Sequence, residues 1–251
     1  MSAHRFFLEG PVGAEGALAL SAEDLHHLRD VLRLAPGDEI VAVGADGAAA
    51  LVRLTAVGAE GASGVALGNV DAPRIPRVWL VQGLAKGEKM DLVVRMATEL
   101  GCERIVPLMT SRSVVRLDAG KAAARVDRWE RIAAGAAKQA QLTRVPEVAA
   151  LADVSGLMGA VAGAALVLVA WEDAAGAPGI AATITDAALS ADAAVAIVVG
   201  PEGGFAAEEV SVLVAQGAQV VSLGDTVLRT ETAGVVATAL ALAARGGLGG
   251  A

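Results

Sequence analysis

The sequence has almost none of the residues that build covalent or aromatic sites. Its 251 residues include one cysteine, Cys102, so the chain can form neither an internal disulfide nor a cysteine-based zinc site. Cys102 follows Gly101 in an apolar stretch, where we expect a buried small side chain rather than a reactive thiol. There is no tyrosine, and three phenylalanines and three tryptophans argue against a broad aromatic platform for stacking bases.

Motifs of the common cofactor-binding and hydrolytic classes are also missing. No dinucleotide G-x-G-x-x-G opens a helix and no Walker sequence is present, nor is there a G-x-S-x-G elbow or an H-E-x-x-H metal motif. The longest uncharged run, 155–171, is rich in Ala and Gly, which predicts a helix and then a strand rather than a membrane span. With no cleavable leader pattern at the N-terminus, we expect a soluble, cytoplasmic, metal-free protein.

Charge is distributed unevenly along the chain. The formal net charge is −8, but residues 1–72 carry −6, residues 73–145 carry +7 and residues 146–251 carry −9. A basic stretch within an acidic chain is typical of a face that binds a polyanion, although solvated helix faces produce the same pattern. A hydrophobic content of 55% is enough for a substantial core in one or two domains.

Short β-prone runs separated by Gly, Pro and Asp fill the first 70 residues. One helix is predicted over 21–34, with Ser21 as its N-cap. Its apolar stripe is Leu25, Leu28, Val31 and Leu32. This pattern predicts a small β-barrel with one helix. A Pro-rich linker at 71–76 then predicts two domains, over 1–72 and 73–251.

Strands alternate with helices in the second predicted domain. We expect strands at 78–81, 105–108, 166–169, 194–199 and 220–223, and helices at 90–100, 122–142, 149–161, around 208–210 and at 230–245. The alternation predicts an α/β domain with a mostly parallel sheet. The second of these helices carries a basic stripe of Arg125, Arg128, Arg131 and Lys138.

Two loops near the C-terminus carry polar groups in an otherwise apolar region. Gly-Pro-Glu-Gly-Gly at 200–204 follows one predicted strand, and Leu-Arg-Thr-Glu-Thr at 228–232 comes shortly after another. The carboxyl ends of parallel strands meet at one edge of a sheet, where ligands of open α/β sheets bind. Either loop alone fits an ordinary turn, with Thr230 as a helix N-cap. Together they indicate a ligand site.

The pair of loops, with weaker matches along nearly the whole chain, resembles the bacterial small-subunit rRNA uridine-N3 methyltransferases, the RsmE family of the SPOUT class. The weaker matches are His27-Leu28, Val31-Leu32-Arg33, Lys86-Gly87, Lys89-Met90, Glu99-Leu100-Gly101, Ser111-Arg112-Ser113, Gln139, Arg144-Val145-Pro146 and Leu223-Gly224. The Ser-Leu-Asn type motif of ribose-methylating relatives is absent. The chain departs from the family at Met96 and Lys138, where Lys and Glu are usual, and at 141–142, where Gln-Leu replaces Gly-Arg.

The resemblance implies an α/β fold with an N-terminal PUA-like β-barrel that binds RNA and a C-terminal SPOUT α/β domain with a deep trefoil knot. It implies a homodimer that uses S-adenosylmethionine to methylate N3 of one uridine of 16S rRNA within the assembled small ribosomal subunit. Carried over, the cofactor-binding residues are Glu172, Gly200, Pro201, Glu202, Gly203, Leu223, Gly224, Leu228, Thr230 and Thr232. The RNA-binding residues are His27, Arg29, Arg33, Lys86, Lys89, Arg112, Arg116 and Arg144.

The chemistry of this reaction assigns roles to two further residues. Uridine N3 carries a proton and is a poor nucleophile until it is lost, so transfer needs a base or groups that stabilise the imide anion. Arg229 is the candidate for that anion or for a nearby phosphate, and Glu231 is the candidate base or orients the uracil edge. The alternatives are a methyltransferase of this class with another rRNA target, a non-catalytic ribosome-assembly factor and a plain structural α/β domain.

Overall fold

The computed structural model describes residues 4–71, 74–174 and 176–249. Its internal contacts divide the chain into two compact units, each described separately below. Unit 1 consists of Met1–Pro73 together with Ala137–Arg144. Unit 2 consists of Arg74–Ala136 together with Val145–Ala251.

Unit 1 is built on a five-stranded sheet. Its strands are β1 (His4–Phe7), β2 (Glu15–Leu18), β3 (Glu39–Val43), β4 (Ala49–Val57) and β5 (Ala62–Asn69). Their order is β1-β3-β4-β5-β2, in which only β1 and β3 pair in parallel. Side chains on one face, including Phe6, Ile40, Val52 and Leu54, form the core. The β-prone runs predicted at the N-terminus therefore do form strands, and β2 is an additional one.

The predicted helix of unit 1 begins where expected but changes its geometry. Ser21 Oγ accepts a hydrogen bond from the Asp24 N–H at 3.1 Å, which confirms the N-cap. After α1 (Ala22–His26), residues His27–Val31 form a π-helical turn. The wider turn rotates later side chains relative to the expected stripe. Leu28 is buried, but Val31 is 57% exposed, so its assignment to the apolar stripe is wrong.

Unit 2 contains a seven-stranded sheet in which every pairing is parallel. Its strands are β6 (Val78–Gly83), β7 (Arg104–Met109), β8 (Glu147–Val148), β9 (Ala152–Asp153), β10 (Ala164–Ala170), β11 (Ala194–Val199) and β12 (Gln219–Val221). The order is β12-β10-β11-β6-β7-β8, and β9 also pairs with β7. The central strands β6 and β11 are buried along their whole length, which explains their continuous apolar runs.

The remaining helices of the described residues lie between these strands, except for the last, which follows β12. They are α2 (Lys89–Leu100), α3 (Ala119–Gln139), α4 (Leu157–Ala160), α5 (Ile180–Asp186), α6 (Ala207–Ala215) and α7 (Thr230–Ala244). Helix α2 ends at Gly101 in the left-handed conformation, with φ 94°. Cys102 is buried behind it, as predicted, and burial raises the pKa of its thiol to about 12. None of the described helices has the length and apolarity needed to cross a bilayer.

Two sequence-based assignments in unit 2 are wrong. Within the predicted helix at 149–161, Ala152–Asp153 forms β9 and only Leu157–Ala160 is helical, and β8 lies directly before this segment. The edge of β7 supplies partners for this segment, since the Ala149 N–H donates to Ile105 O at 2.9 Å. The Asp153 carboxylate then accepts from the Gly156 N–H at 2.8 Å, ahead of α4. Helix α5 lies where only a loop was expected.

The basic stripe on α3 is not a uniform surface for nucleic acid. Arg128 forms an ion pair with the buried carboxylate of Asp91, which also accepts from Trp129 Nε1 at 3.1 Å. Lys138 pairs in the same way with buried Asp24 inside unit 1. A buried carboxylate is costly unless it is paired. Two cations of the stripe therefore neutralise buried carboxylates. Lys138, where the family usually has Glu, forms the ion pair with Asp24.

Candidate functional site

A cavity of about 440 Å³ lies in unit 2 at the carboxyl edge of the parallel sheet. Its wall combines the ends of β10 and β11, the segment after β12, and side chains from the first turns of α2 and α7. Sites for small molecules span roughly 300–1,000 Å³. The two loops singled out in the sequence therefore meet at one cavity of suitable size.

Most residues predicted to bind the cofactor, together with one of the two catalytic candidates, line this cavity. They are Glu172, Gly200, Pro201, Glu202, Leu223, Gly224, Leu228, Arg229 and Thr230. Gly203 and Thr232 are exposed and lie outside its wall. Glu231 also lies outside the wall but pairs with a residue that lines it.

Close backbone packing fixes the loop at 200–204. A Cβ atom built on Gly83 would lie 2.3 Å from Pro201 N and 2.6 Å from Gly200 C, so β6 and this loop touch through their backbones. Gly204 has φ +65°, a left-handed conformation that favours glycine, and a Cβ there would lie 2.0 Å from Glu172 Oε1. Glycine at 83 is thus required by packing, and glycine at 204 by packing and conformation.

Thr230 connects this loop to the start of α7. Its hydroxyl donates to Gly200 O at 2.5 Å and accepts from Gln82 Nε2 at 2.9 Å, and both bonds are buried. Arg229, not Thr230, occupies the N-cap position of α7. The N-cap alternative for Thr230 is therefore wrong, because its side chain joins three segments of the sheet edge instead.

Lys89 forms the ionic centre of the wall. Its Nζ lies 3.1 Å from Glu202 Oε1 and 3.1 Å from Glu231 Oε2. Glu202 Oε1 also accepts from the Lys86 N–H at 3.0 Å. Lys89, a predicted RNA contact, lies between two carboxylates from the two C-terminal loops.

These contacts shift the ionisation of all three groups. The carboxylates, Glu231 first and then Glu202, raise the pKa of Lys89. Burial works to raise the pKa of Glu202, but hydrogen bonds from Lys86 N–H, its own N–H and Lys89 outweigh it, so the net shift is downward. The hydrogen bond from its own N–H lowers the pKa of Glu231 against partial burial, helped by Lys89 and Arg229. Both carboxylates are therefore ionised at neutral pH.

The cavity also contains residues that the sequence reasoning missed. Besides Lys89 they include Ala170, Trp171, Val199, Ser222, Asp225, Thr226, Val227 and Ala233. Asp225, Thr226 and Val227 fill the gap between two recognised motifs, so continuity alone would have identified them. Val227 is 88% exposed at this site.

The RNA-binding candidates of unit 1 are exposed or partly exposed. Arg29 donates to both oxygens of Asp30, at 2.8 and 2.7 Å, and this bond lowers the pKa of Asp30 to about 2. Arg33 has φ +54°, a left-handed backbone that is unusual for a non-glycine residue. His27 and Arg144 lie on the surface.

The candidates of unit 2 lie next to the 200–206 loop. Arg112 Nη1 donates to Gly203 O at 3.2 Å, and Arg116 Nη2 donates to Ser111 O at 2.7 Å. The Glu209 carboxylate accepts from Ser111 N–H at 2.7 Å and from Ala206 N–H at 2.9 Å. Hydrogen bonds therefore hold the basic loop after β7 against the loop after β11. In the described parts of the chain, no three His, Cys, Asp or Glu side chains are grouped as a metal would require.

Comparison with known families defines the class of protein. A family model described as an RNA methyltransferase domain matches residues 73–242, and one described as an RNA methyltransferase PUA domain matches residues 20–66. The first covers more than half of the chain, and the second falls on the helix of unit 1 and on its strands β3, β4 and most of β5. The class is therefore an RNA methyltransferase with a PUA domain, which confirms that part of the expected fold.

Similarity to individual relatives identifies the family within this class of RNA methyltransferases. The ribosomal RNA small subunit methyltransferase E of Bacillus subtilis is 32% identical over 235 residues, which are 91% of this chain and 92% of that protein. A solved methyltransferase from Legionella pneumophila in complex with its cofactor SAM is 28% identical, with a TM-score of 0.82 over 97% of this chain and 98% of that one. The Neisseria gonorrhoeae ribosomal RNA small subunit methyltransferase E, solved with S-adenosyl methionine, is 27% identical, with a TM-score of 0.78 over 94% and 95%. The chain belongs to the ribosomal RNA small subunit methyltransferase E family, which confirms the resemblance.

Proposed function

We propose that this protein methylates N3 of a single uridine of 16S rRNA within the assembled small ribosomal subunit, using S-adenosylmethionine. The observation that carries the proposal is the 440 Å³ cavity where the two sequence motifs of the family meet. Relatives are named for small-subunit rRNA methylation, and the Neisseria gonorrhoeae relative was solved with this donor bound. The reaction class and donor rest on that family membership, and the choice of N3 rests on the 228–232 motif.

The chemistry of the cavity wall fits the donor. S-adenosylmethionine carries a cationic sulfonium, an amino acid moiety and an adenosine. Three carboxylates, from Glu172, Glu202 and Asp225, face the cavity together with the cations of Lys89 and Arg229. Apolar wall residues such as Leu223 and Leu228 suit an adenine ring. When bound, the donor supplies an electrophilic methyl group.

Two loops would hold the donor. Leu223, Gly224 and Leu228 would hold the adenine, while Gly200 to Gly203 would hold the ribose and the methionine moiety, with Glu172 beside them. Thr230 would keep the two loops together through its bonds to Gly200 and Gln82. Methyl transfer is an in-line displacement, so the main task of these residues is to position the reactants.

Arg229 and Glu231 would act on the uracil. Arg229 is exposed at the cavity wall, ahead of the first turn of α7, where the positive end of the helix dipole adds to its charge. This location suits stabilisation of the imide anion formed when N3 loses its proton. The lowered pKa of Glu231 makes it a weaker base, which favours a role in orienting the uracil edge.

The wider assembly is part of the proposal. Residues 1–72 would form the RNA-binding barrel and residues 73–251 the catalytic domain with a deep trefoil knot, in a homodimer that acts in the cytoplasm, where ribosomes are assembled. The knot is consistent with α7 packing on β6 and β11 while Thr230 bonds to both strand ends. Arg29, Arg33, Lys86, Arg112, Arg116, Arg144 and His27 would contact the RNA.

The test is methyl transfer from labelled donor to small ribosomal subunits that lack their uridine-N3 methylation, with the product nucleotide identified by mass. We expect one N3-methyluridine per subunit. Transfer to another base would support a different rRNA target, and binding of subunits without donor binding would support an assembly factor. Arg229→Ala and Glu231→Ala are expected to lose turnover, and wild-type turnover in both would contradict their roles.

A further inference from the structure

Lys89 connects three separate segments of unit 2. It is the first residue of α2, and its ammonium lies 3.1 Å from carboxylate oxygens of Glu202, in the loop after β11, and of Glu231, in the first turn of α7. Its side chain is 34% exposed and forms part of the cavity wall. One cation thus joins the two chain segments that carry the family motifs.

This environment does not suit a residue that grips RNA. Two carboxylates already flank the ammonium and compensate its charge, so it attracts phosphate less strongly than an unpaired lysine does. Lys86, three residues earlier, differs: it is exposed, and its contact with Glu202 uses the backbone N–H rather than the ammonium. The two neighbouring lysines therefore have different surroundings.

The position of Lys89 is also electrostatically unfavourable without its partners. The N-terminus of a helix carries partial positive charge, which disfavours a cation in the first turn. If the ammonium were removed, Glu202 and Glu231 would face each other with no cation between them. The arrangement is thus maintained by ion pairing across the cavity wall rather than by the preferences of α2 itself.

We infer that Lys89 is a positioning residue of the methyl-transfer site, which holds the Glu202 loop and the start of α7 in the arrangement that binds the donor. The inference rests on the proposed function, because it takes the cavity as the donor site. It assigns to Lys89 a role distinct from that of Lys86, whose ammonium remains available to RNA phosphate.

Matched variants of the two lysines separate positioning from RNA contact. Binding of S-adenosylmethionine to the full chain is measured by calorimetry without RNA, and binding of small ribosomal subunits is measured over a range of salt concentrations. We expect Lys89→Met to weaken donor binding by about tenfold, or about 1.4 kcal/mol, with an unchanged salt slope. We expect Lys86→Met to keep donor affinity and to reduce the salt slope by about 1.

Two further variants keep the result clear if Lys89→Met is less stable. Lys89→Arg retains the charge and is expected to restore donor affinity to within about threefold of wild type, a difference of about 0.7 kcal/mol. Because Lys89 and Glu231 act through the same contact, the double variant Lys89→Met with Glu231→Gln should bind donor no more weakly than Lys89→Met alone.

Each outcome supports or overturns a definite statement. Donor binding by Lys89→Met equal to wild type, with a reduced salt slope, would overturn the inference and return Lys89 to the RNA-contacting set. Additive losses in the double variant would also overturn it. A wild-type chain that binds no donor would overturn the proposed function and this inference with it.

Discussion

The two loops of the candidate site follow β11 and β12, strands of the same parallel sheet that are separated by β10, yet they are packed very differently. In the 200–206 loop, Gly200, Pro201, Gly204 and Phe205 are buried. The Glu209 carboxylate accepts hydrogen bonds from the Ala206 N–H of this loop and from the Ser111 N–H of the loop after β7, and so links the two loops. In the 222–229 loop, residues 224–227 are all exposed, and Val227 reaches 88%.

This difference in packing gives the two loops different roles in the cavity wall. The buried loop is held by backbone contacts and provides a preformed wall, whereas the exposed loop has few packing partners and low local stability. Loops that close over ligands are drawn from such low-stability segments. The comparison predicts that substitutions in the packed loop cost folding stability, while those in the open loop mainly affect binding.

The largest loss of stability is expected for Gly83→Ala, which presses on the packed loop. The new Cβ would lie 2.3 Å from Pro201 N, a backbone atom that cannot move without shifting the whole loop. We expect a loss of about 3 kcal/mol in the free energy of unfolding, measured by denaturant titration. Gly135→Ala in α3 is the control: its Cβ would meet nothing within 4 Å, and it should gain up to about 1 kcal/mol. Equal stability of the two variants would contradict the packing account.

Thr230→Val should have the next largest effect. It keeps the shape of the side chain but leaves Gly200 O and Gln82 Nε2 without their buried partner, at a cost of about 2 kcal/mol. The same substitution at Thr226, in the open loop, should change stability by less than about 0.5 kcal/mol. Thermal and denaturant unfolding of both variants provides the measurement, and a similar loss in both would remove the distinction between the loops.

Glycine substitutions compare the loops most directly. Gly204→Ala combines a left-handed backbone with a Cβ 2.0 Å from Glu172 Oε1, whereas Gly224→Ala, at φ +110°, meets nothing within 4 Å. We expect about 1 kcal/mol of backbone strain in each and about 1 kcal/mol more for Gly204→Ala. In a Glu172→Ala background the extra cost should disappear. If it persists, Glu172 is not the group that requires glycine at 204.

The smallest expected effect concerns the pH dependence of the junction between the loops. The pKa of Glu231 is lowered on folding, so its contribution to stability is present above its ordinary value of 4.5 and is lost as pH falls through the lower folded value. Wild type should therefore exceed Glu231→Gln in stability at pH 7, and the difference should vanish in acid. A constant difference from pH 7 to pH 3 would show that ionisation is not its source.

The sequence predicted those parts of the fold that depend on local patterns. The apolar run at 194–199 is β11, and the periodic segment at 90–100 matches α2 to within one residue. The helix predicted at 149–161 is wrong because Ala149 and strand β9 bond to β7, a partner distant in sequence. Helix α5 was missed because it is short, and neither its sequence nor Gly179 before it offers a side-chain cap.

The candidate site was predictable where it depends on backbone shape and less so where it depends on ion pairs. Gly200 and Gly204 are marked by their motif, and the structure places both in the cavity wall. The family resemblance places Lys89 among the RNA contacts, and its neighbours in the sequence do not reveal its ionic partners. Only the fold brings Glu202 and Glu231 to it, since neither is close to it in sequence.

Hydrogen exchange of the full chain with and without S-adenosylmethionine tests most directly the claim that these two loops form the donor site. We expect donor to slow exchange most strongly at residues 222–229 and less at 200–206, where the packed loop is already protected. Exchange in the β4–β5 region of unit 1 should not change. Protection absent from 222–229, or stronger at 200–206 than at 222–229, would contradict the account.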